Sequence, residues 1–209
     1  MGKNRKIIGD KEFLVVRPSD LRKVAFCPTL FFFDINLKEK PPVYLRLKGL
    51  WGRMLHVLHH VLRVGWTKEE LLYAPIETYK VVLVGKPDTY REEADGGIVI
   101  EEFKSRKAPK HSSNIVYHGV WISDALQLIA YGYILKSIKG VEPKLVLRYI
   151  NRSVSIPYDE DMLIQYVELL KDIVEGVFPE PHWVSSKKCR RCPYRDICPY
   201  SPYSTISFT

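Results

Sequence analysis

Two carboxylates and a lysine occur at spacings that favour metal-dependent hydrolysis. Asp88 follows a β-branched apolar segment over residues 79–84, and Glu102 and Lys104 end a second segment that alternates with period two. A turn around Asp95, midway between Asp88 and Glu102, would fold the two segments into a hairpin with the carboxylate-bearing Cβ atoms roughly 5 Å apart. Because two carboxylates that close repel each other, the hairpin predicts a bound cation.

The same alternation places Glu102 and Lys104 on an otherwise apolar face, where an unpaired buried charge is costly. Asp88, Glu102 and the backbone carbonyl of Phe103 are hard oxygen ligands of the kind that suits Mg²⁺ or Mn²⁺. Lys104 would orient a water molecule and stabilise charge during attack on a phosphodiester. An ordinary hairpin with a Glu–Lys pair on its surface is the alternative that this segment alone leaves open.

The sequence has an aspartate, then thirteen residues, then Glu-x-Lys. This pattern resembles that of the PD-(D/E)xK nuclease superfamily. Upstream, residues 44–64 show a helical apolar stripe with His56, His59 and His60 on the opposite side. A solvated polar face is the simple explanation of these histidines. The spacing from Gly52 to His56 is similar to the G-x-x-x-H element of RecB-like nucleases, in which the histidine completes the metal shell. The resemblance therefore implies His56 as a metal ligand, with His60 as the fallback.

Residues 121–138 form a predicted helix that is apolar on nearly every side and should be buried. Gln127 and Tyr131 lie four residues apart on one of its faces, and buried polar groups need partners. Hydrogen bonding within the core would satisfy them. However, Q-x-x-x-Y after the Glu-x-Lys strand resembles a further motif of RecB-like nucleases, which implies that both residues position DNA and the active site.

A basic loop follows the Glu-x-Lys strand directly. Arg106, Lys107 and Lys110 could be simply solvated, but their position suits contact with substrate phosphates. The formal net charge of +8 likewise favours a polyanionic partner.

Four cysteines form a second candidate site. Three of them, Cys189, Cys192 and Cys198, form a C-x₂-C-x₅-C pattern near the end of the sequence, and Cys27 lies more than 160 residues upstream. Four thiolates suit Zn²⁺ or an iron–sulfur cluster, and spacing alone does not decide between them. In either case the site would join residues 1–40 to residues 180–209.

The remaining pattern indicates a single α/β domain over residues 1–209, with 46% hydrophobic residues available for a core. A helix capped by Ser19 or Asp20 should end at Cys27. Residues 144–151 and 154–157 should pair as a hairpin, and a helix capped by Asp159 or Asp161 should run to residue 177. We find no apolar run of the roughly 20 residues of a membrane span, no secretory signal and no phosphate loop of a helicase motor, so a cytoplasmic protein is expected.

Taken in order, the histidine, Asp…Glu-x-Lys, Q-x-x-x-Y and cysteine motifs resemble the CRISPR-associated RecB-like iron–sulfur exonucleases of the Cas-four family. The resemblance implies a central mixed β-sheet flanked by helices, a cysteine-held cluster (4Fe-4S favoured, 2Fe-2S as the alternative) and Mn²⁺ or Mg²⁺. It also implies trimming of single-stranded DNA from the 5′ end, for antiviral spacer acquisition with the CRISPR integrase. A nuclease subunit of a helicase–nuclease complex and a non-catalytic zinc-containing nucleic-acid-binding module are the alternatives. The sequence leaves the oligomeric state open.

Overall fold

The computed structural model describes residues 5–8, 11–37 and 71–205 of the chain. Its strands are β1 (Arg5–Ile8), β2 (Lys11–Val16), β3 (Leu72–Ile76), β4 (Val81–Gly85), β5 (Thr89–Glu92), β6 (Ile98–Lys104), β7 (Val116–Tyr117), β8 (Val120–Trp121), β9 (Lys144–Tyr149) and β10 (Ser153–Ile156). Its helices are α1 (Pro18–Phe26), α2 (Pro28–Asn36), α3 (Ile122–Lys139), α4 (Glu160–Glu175) and the short α5 (Ser186–Cys189), with a 3₁₀ turn at Glu77–Tyr79. The predicted helix over residues 44–64, with Gly52, His56, His59 and His60, lies outside the described residues.

Two four-stranded mixed sheets hold most of the described strands. One has the order β1-β2-β4-β3, and the other has the order β10-β9-β6-β5. In each sheet the two inner strands are parallel and each edge strand is antiparallel to its neighbour. The predicted mixed α/β architecture is confirmed, although the described strands form two four-stranded sheets and the small β7-β8 sheet where one central sheet was expected.

Helix α3 lies at the centre of the fold. It packs against α1 and against strands of both sheets, namely β3, β4, β6 and β9. Its residues are buried on nearly every side, as predicted, and Gly140 ends it with a left-handed φ of 72°. Because α3 contacts β6 as well as the strands of the other sheet, some of its side chains lie close to the end of β6.

The start of α1 differs from the sequence prediction. Arg17 is the N-cap and Pro18 is the first helical residue, so neither Ser19 nor Asp20 caps the helix. Proline is favoured at this position because its fixed φ suits a helix and its missing N–H would have no intrahelical partner. Asp20 instead accepts a hydrogen bond from the Arg17 backbone N–H at 3.3 Å. Cys27 ends α1 as predicted and also precedes α2.

The last long helix follows the prediction closely. The Asp159 carboxylate accepts the Met162 backbone N–H at 2.8 Å, so Asp159 rather than Asp161 is the cap. Gly176 ends α4 with a left-handed φ of 104°. Over the described ranges, we find no helix with the length and apolar character needed to cross a bilayer.

Candidate active site

The β5–β6 hairpin brings the two predicted acidic ligands together. Thr89 pairs with Glu101, and continuing that register by one pair places Asp88 opposite Glu102. The Asp88 Oδ2 atom accepts a hydrogen bond from the Phe103 backbone N–H at 3.0 Å. This bond orients the Asp88 carboxylate toward the end of β6, next to the residue that the predicted hairpin sets opposite it.

Glu102 and Lys104 are joined to Gln127 of α3 in a closed set of hydrogen bonds. The Lys104 ammonium donates to Glu102 Oε1 at 2.8 Å and to Gln127 Oε1 at 2.7 Å. The Gln127 amide donates to the same Glu102 oxygen at 2.9 Å. All three side chains are buried, with 3%, 6% and 7% exposure for Glu102, Lys104 and Gln127. A surface Glu–Lys pair is therefore excluded, because these charges are desolvated and held in place.

Glu101 lies on the opposite face of β6 and has a different partner. It is also buried, and the Arg148 guanidinium of β9 binds both of its carboxylate oxygens, with Nη2 at 2.7 Å from Oε1. Such bidentate pairing is a strong form of ion pair. The two adjacent glutamates are thus separated by the strand, and only Glu102 faces Lys104 and Gln127.

Asp124 is a buried acid at this site that the sequence analysis did not identify. Its side chain on α3 is 0% exposed, and its carboxylate lies 2.7 Å from Arg106 Nη2, 3.3 Å from Arg22 Nε and 3.9 Å from Lys104 Nζ. The Tyr149 hydroxyl donates to Asp124 Oδ2 at 2.8 Å. Burial alone would raise the pKa of Asp124, but the charges of Lys104, Arg106 and Arg22 outweigh it and hold that pKa below its usual value. An aspartate within an otherwise apolar helix was the available signal, because a buried carboxylate requires cationic partners.

Tyr131 lies one helical turn beyond Gln127 and is also buried. Burial, and then the charges of Glu102 and Asp88, raise the pKa of Tyr131 well above its ordinary value, although a hydrogen bond with Gln127 opposes the shift. The hydroxyl therefore keeps its proton at neutral pH. It is available as a hydrogen-bond donor beside the two carboxylates.

Gly85, at the end of β4, permits the close packing of Tyr131. A Cβ atom added at Gly85 would lie 2.8 Å from the Tyr131 ring and 2.9 Å from the Pro18 side chain. These separations are shorter than any ordinary carbon–carbon contact. The absence of a side chain at Gly85 thus allows Tyr131 to approach the turn that carries Asp88.

The three predicted basic residues of the loop after β6 have different surroundings. Arg106 is half-buried against Asp124, with its guanidinium carbon 5.7 Å from the centre of the Trp121 ring. Lys107 and Lys110 are exposed. The loop therefore places one arginine at the buried network and two lysines in solvent.

The donor chemistry of the hairpin fits a hard divalent cation. The register sets the carboxylates of Asp88 and Glu102 on neighbouring strands, and Mg²⁺ in particular retains several waters besides one or two carboxylates. Over residues 5–8, 11–37 and 71–205, no three His, Cys, Asp or Glu side chains form a set that could hold a metal ion. The predicted histidine ligand, His56, is outside these ranges.

The four cysteines line one cavity of about 590 Å³ where α1 meets α2 and the C-terminal segment. Cys189 ends α5, and the Cys192 backbone N–H donates to the Cys189 carbonyl at 3.0 Å. Burial, and then the nearby Cys27, Cys198 and Cys189, raise the pKa of Cys192 to about 11. The four cysteines thus share a cavity, but as the structure places them no three side chains of the described residues, cysteines included, are arranged as the ligands of one metal ion.

Several contacts beside the cysteines join the C-terminal segment to α1 and α2. The Thr29 hydroxyl donates to the Pro179 carbonyl at 3.0 Å, and the Phe33 and Tyr194 rings stack with centres 5.2 Å apart. The Lys188 ammonium donates to the Phe26 carbonyl at 2.7 Å and lies 4.0 Å from the centre of the Trp183 ring. These contacts join the region around Cys27 to the cysteine segment, whereas the predicted cluster between them stays a prediction.

Comparison with known proteins identifies a family. A sequence profile of the PD-(D/E)XK nuclease superfamily matches residues 39–199. The crystal structure of SSO0001 is 18% identical, with a TM-score of 0.55, over 93% of this chain and 88% of that chain. This similarity concerns the fold. A provisionally assigned exonuclease from Eubacterium rectale is 12% identical over 72% of this chain and 56% of its own, with a TM-score of 0.36, which is too low to support an argument. No curated protein sequence matches the chain.

Proposed function

Because this chain belongs to the PD-(D/E)XK nuclease superfamily, we propose that it is a metal-dependent exonuclease that trims single-stranded DNA from the 5′ end. The observation that carries this proposal is the buried contact of Lys104 with both Glu102 and Gln127, next to Asp88. A non-catalytic zinc-containing binding module would have no use for a desolvated Glu–Lys pair at the end of a strand.

The metal site in this proposal consists of Asp88, Glu102 and the Phe103 carbonyl, with His56 as a further ligand and His60 as its alternative. When bound, Mg²⁺ or Mn²⁺ lowers the pKa of a water molecule and neutralises charge on the phosphate. The hydrogen bond from the Phe103 N–H keeps the Asp88 carboxylate oriented toward this point before any substrate arrives. Such preorganisation reduces the cost of binding a cation.

Lys104 is the proposed electrostatic catalyst. Its ammonium is fixed by Glu102 and Gln127, so it can orient the attacking water and stabilise the negative charge that develops on the phosphate. Burial strengthens these interactions, because water does not screen them. Gln127 positions Glu102 and Lys104 together. In this proposal the Tyr131 hydroxyl, which keeps its proton, is a hydrogen-bond donor to the substrate at the edge of the site.

The charge of the chain and its resemblance to the Cas-four family support the proposed substrate class. The net charge of +8 and the exposed Lys107 and Lys110 support binding to a phosphate backbone, and Arg106 would contribute a further contact. In this proposal one domain over residues 1–209 acts in the cytoplasm. It prepares DNA fragments for the CRISPR integrase, its expected protein partner in antiviral defence.

End-labelled DNA provides the direct test of this function. With Mn²⁺ or Mg²⁺, linear single strands carrying a 3′ label should shorten progressively, and chelation of the metal should stop the reaction. Circular single-stranded DNA should remain intact, because an exonuclease needs an end. Cutting of the circle would replace the exonuclease by an endonuclease, and a folded, metal-supplied protein without cleavage would reject the nuclease.

The four cysteines are the proposed ligands of an iron–sulfur cluster, with 4Fe-4S favoured over 2Fe-2S. Their shared cavity supports a common ligand, and their separation in the sequence means that this ligand would join residues 1–40 to residues 180–209. None of the four belongs to the Asp88–Glu102–Lys104 arrangement. The cluster would therefore serve the structure of the nuclease and not its hydrolytic chemistry.

Anaerobic purification should give a brown protein with broad absorbance near ~400 nm, as expected for thiolate-ligated iron. Cys27→Ala should bleach this colour and lower the melting temperature, since a bound metal contributes folding free energy. Thr29→Ala is a matched control, because it removes one contact between the same two regions and leaves the ligands in place. A colourless protein with one zinc per chain and no iron would replace the cluster by a zinc site.

A further inference from the structure

The geometry points to a nucleotide subsite beside the hydrolytic centre. We propose that Arg22 and Arg106, held by Asp124, bind one phosphate of the substrate strand, and that the adjacent cavity between Trp121 and Trp183 takes the neighbouring base. This subsite rests on the proposed function and specifies how that site would recognise a single strand.

The charge balance around Asp124 leaves positive charge available for a phosphate. Arg22 comes from α1 and Arg106 from the loop after β6, yet both guanidiniums contact the same carboxylate oxygen, at 3.3 and 2.7 Å. One carboxylate neutralises only one of them. Their side chains are 43% and 39% exposed, so N–H donors remain accessible to solvent. Paired arginines of this kind suit phosphate, whose oxygens match the planar donors of guanidinium.

The position of this arginine pair relates it to the hydrolytic centre. Lys104 lies 3.9 Å from the same Asp124 oxygen and 2.8 Å from Glu102. A phosphate bound by Arg22 and Arg106 would therefore lie near the one that is hydrolysed. Asp124 acts here as a positioning residue, because it is fully buried and can contact the strand only through the two arginines.

The adjacent cavity has the lining expected of a base site. It has a volume of about 190 Å³, and Arg106, Trp121, Phe26 and Trp183 are among the residues that line it. Aromatic rings bind bases of any sequence by stacking, and an arginine beside them binds the connecting phosphate. The Lys188 ammonium contacts the Phe26 and Trp183 rings, which fixes this wall of the cavity. Bases of a duplex are stacked within the helix, so the occupant is an unpaired nucleotide.

The salt dependence of binding tests the phosphate half of the subsite. Binding of a fluorescent oligothymidylate, measured by anisotropy in a chelating buffer, should weaken linearly on logarithmic axes as salt rises. Arg22→Gln and Arg106→Gln should each reduce the slope by about 0.7, the value for one lost phosphate contact on a single strand. Arg22→Lys should retain the slope. Lys11→Gln on β2 is the charge-matched control, because Lys11 pairs with Glu77 of the 3₁₀ turn, beside the sheet that does not contain β6, and the change should leave the slope unchanged.

Tryptophan variants test the base half with the same probe. Trp121→Ala and Trp183→Ala should weaken binding roughly tenfold, which is typical of one lost base–aromatic stack, without changing the salt slope. The corresponding phenylalanine variants should retain most of the affinity. The affinity for a blunt-ended duplex should be the same in the wild type and in all of these tryptophan variants.

Different results overturn the subsite and the nuclease function. If both glutamine variants keep the wild-type salt slope, or if both alanine variants keep the wild-type affinity, the subsite is rejected even if the protein cleaves DNA. A wild-type protein that neither binds nor cleaves DNA would reject the proposed function instead. Thermal melts identify any variant that fails to fold. If Arg106→Gln is such a variant, Arg22→Gln decides the phosphate half alone, because it preserves the Arg106–Asp124 pair.

Discussion

Glu102→Gln is expected to reduce DNA cleavage by roughly 100- to 1,000-fold, the effect of losing one main electrostatic contribution in an active site. The change keeps the size of the side chain and an oxygen that can accept from Lys104, but it removes the negative charge proposed to bind the cation. Initial rates on end-labelled single strands at saturating Mn²⁺ measure the effect. Asp88→Asn should behave in the same way.

The neighbouring Glu101→Gln is the control for this experiment. It makes the same chemical change at the adjacent residue, but on the face of β6 that pairs with Arg148. It should lower thermal stability and leave the rate of the folded enzyme largely unchanged. Equal rates for Glu102→Gln and Glu101→Gln would contradict the assignment of the hydrolytic centre.

Asp124→Ala should lower the free energy of unfolding by about 3 kcal/mol, because it leaves several cations facing a buried space. We place the effect at the low end of the range for broken buried pairs, since Arg22 and Arg106 can turn toward solvent. For a chain of this size such a loss corresponds to a fall in melting temperature of roughly 6–12 °C. Calorimetry or circular dichroism would measure it.

The stability that the Asp124 charge contributes should decrease as the pH falls. The folded state lowers the pKa of Asp124, so the charge stabilises the protein above the unfolded pKa of about 3.9. That stabilisation is lost as pH falls through the lower, folded-state pKa. The stability difference between wild type and Asp124→Asn should therefore shrink in acid.

Asp172→Ala, at an exposed position of α4, is the control for Asp124→Ala and should change stability by less than about 0.5 kcal/mol. Equal destabilisation by Asp124→Ala and Asp172→Ala would refute the predicted role of the buried carboxylate.

Local pattern was sufficient for the parts of the site that lie on one or two neighbouring elements. The alternation over residues 98–104 and the position of the turn predicted the pairing that sets Asp88 opposite Glu102. The apolar surroundings of Gln127 and Tyr131 predicted that both would be buried. In each case the relevant distances are set by the period of a strand or a helix.

Contacts between distant elements were not predictable in the same way. Arg22 reaches Asp124 only because α1 packs on α3, and Glu101 reaches Arg148 only because β6 and β9 are parallel neighbours. Helix and strand periodicity contains no information about which elements become neighbours. For the same reason the sequence did not reveal that the described strands are divided between two four-stranded sheets.

The packing of residues near Cys27 against the C-terminal segment imposes an order in time on synthesis. Phe26 and Thr29 emerge from the ribosome well before their partners Lys188 and Pro179. At about 5–20 residues per second, the nascent chain waits roughly 10–30 s before these contacts can form. During that interval Cys27 and the aromatic side chains of α2 lack these contacts with the later segment. This region therefore reaches its native packing only after residue 188 has been synthesised.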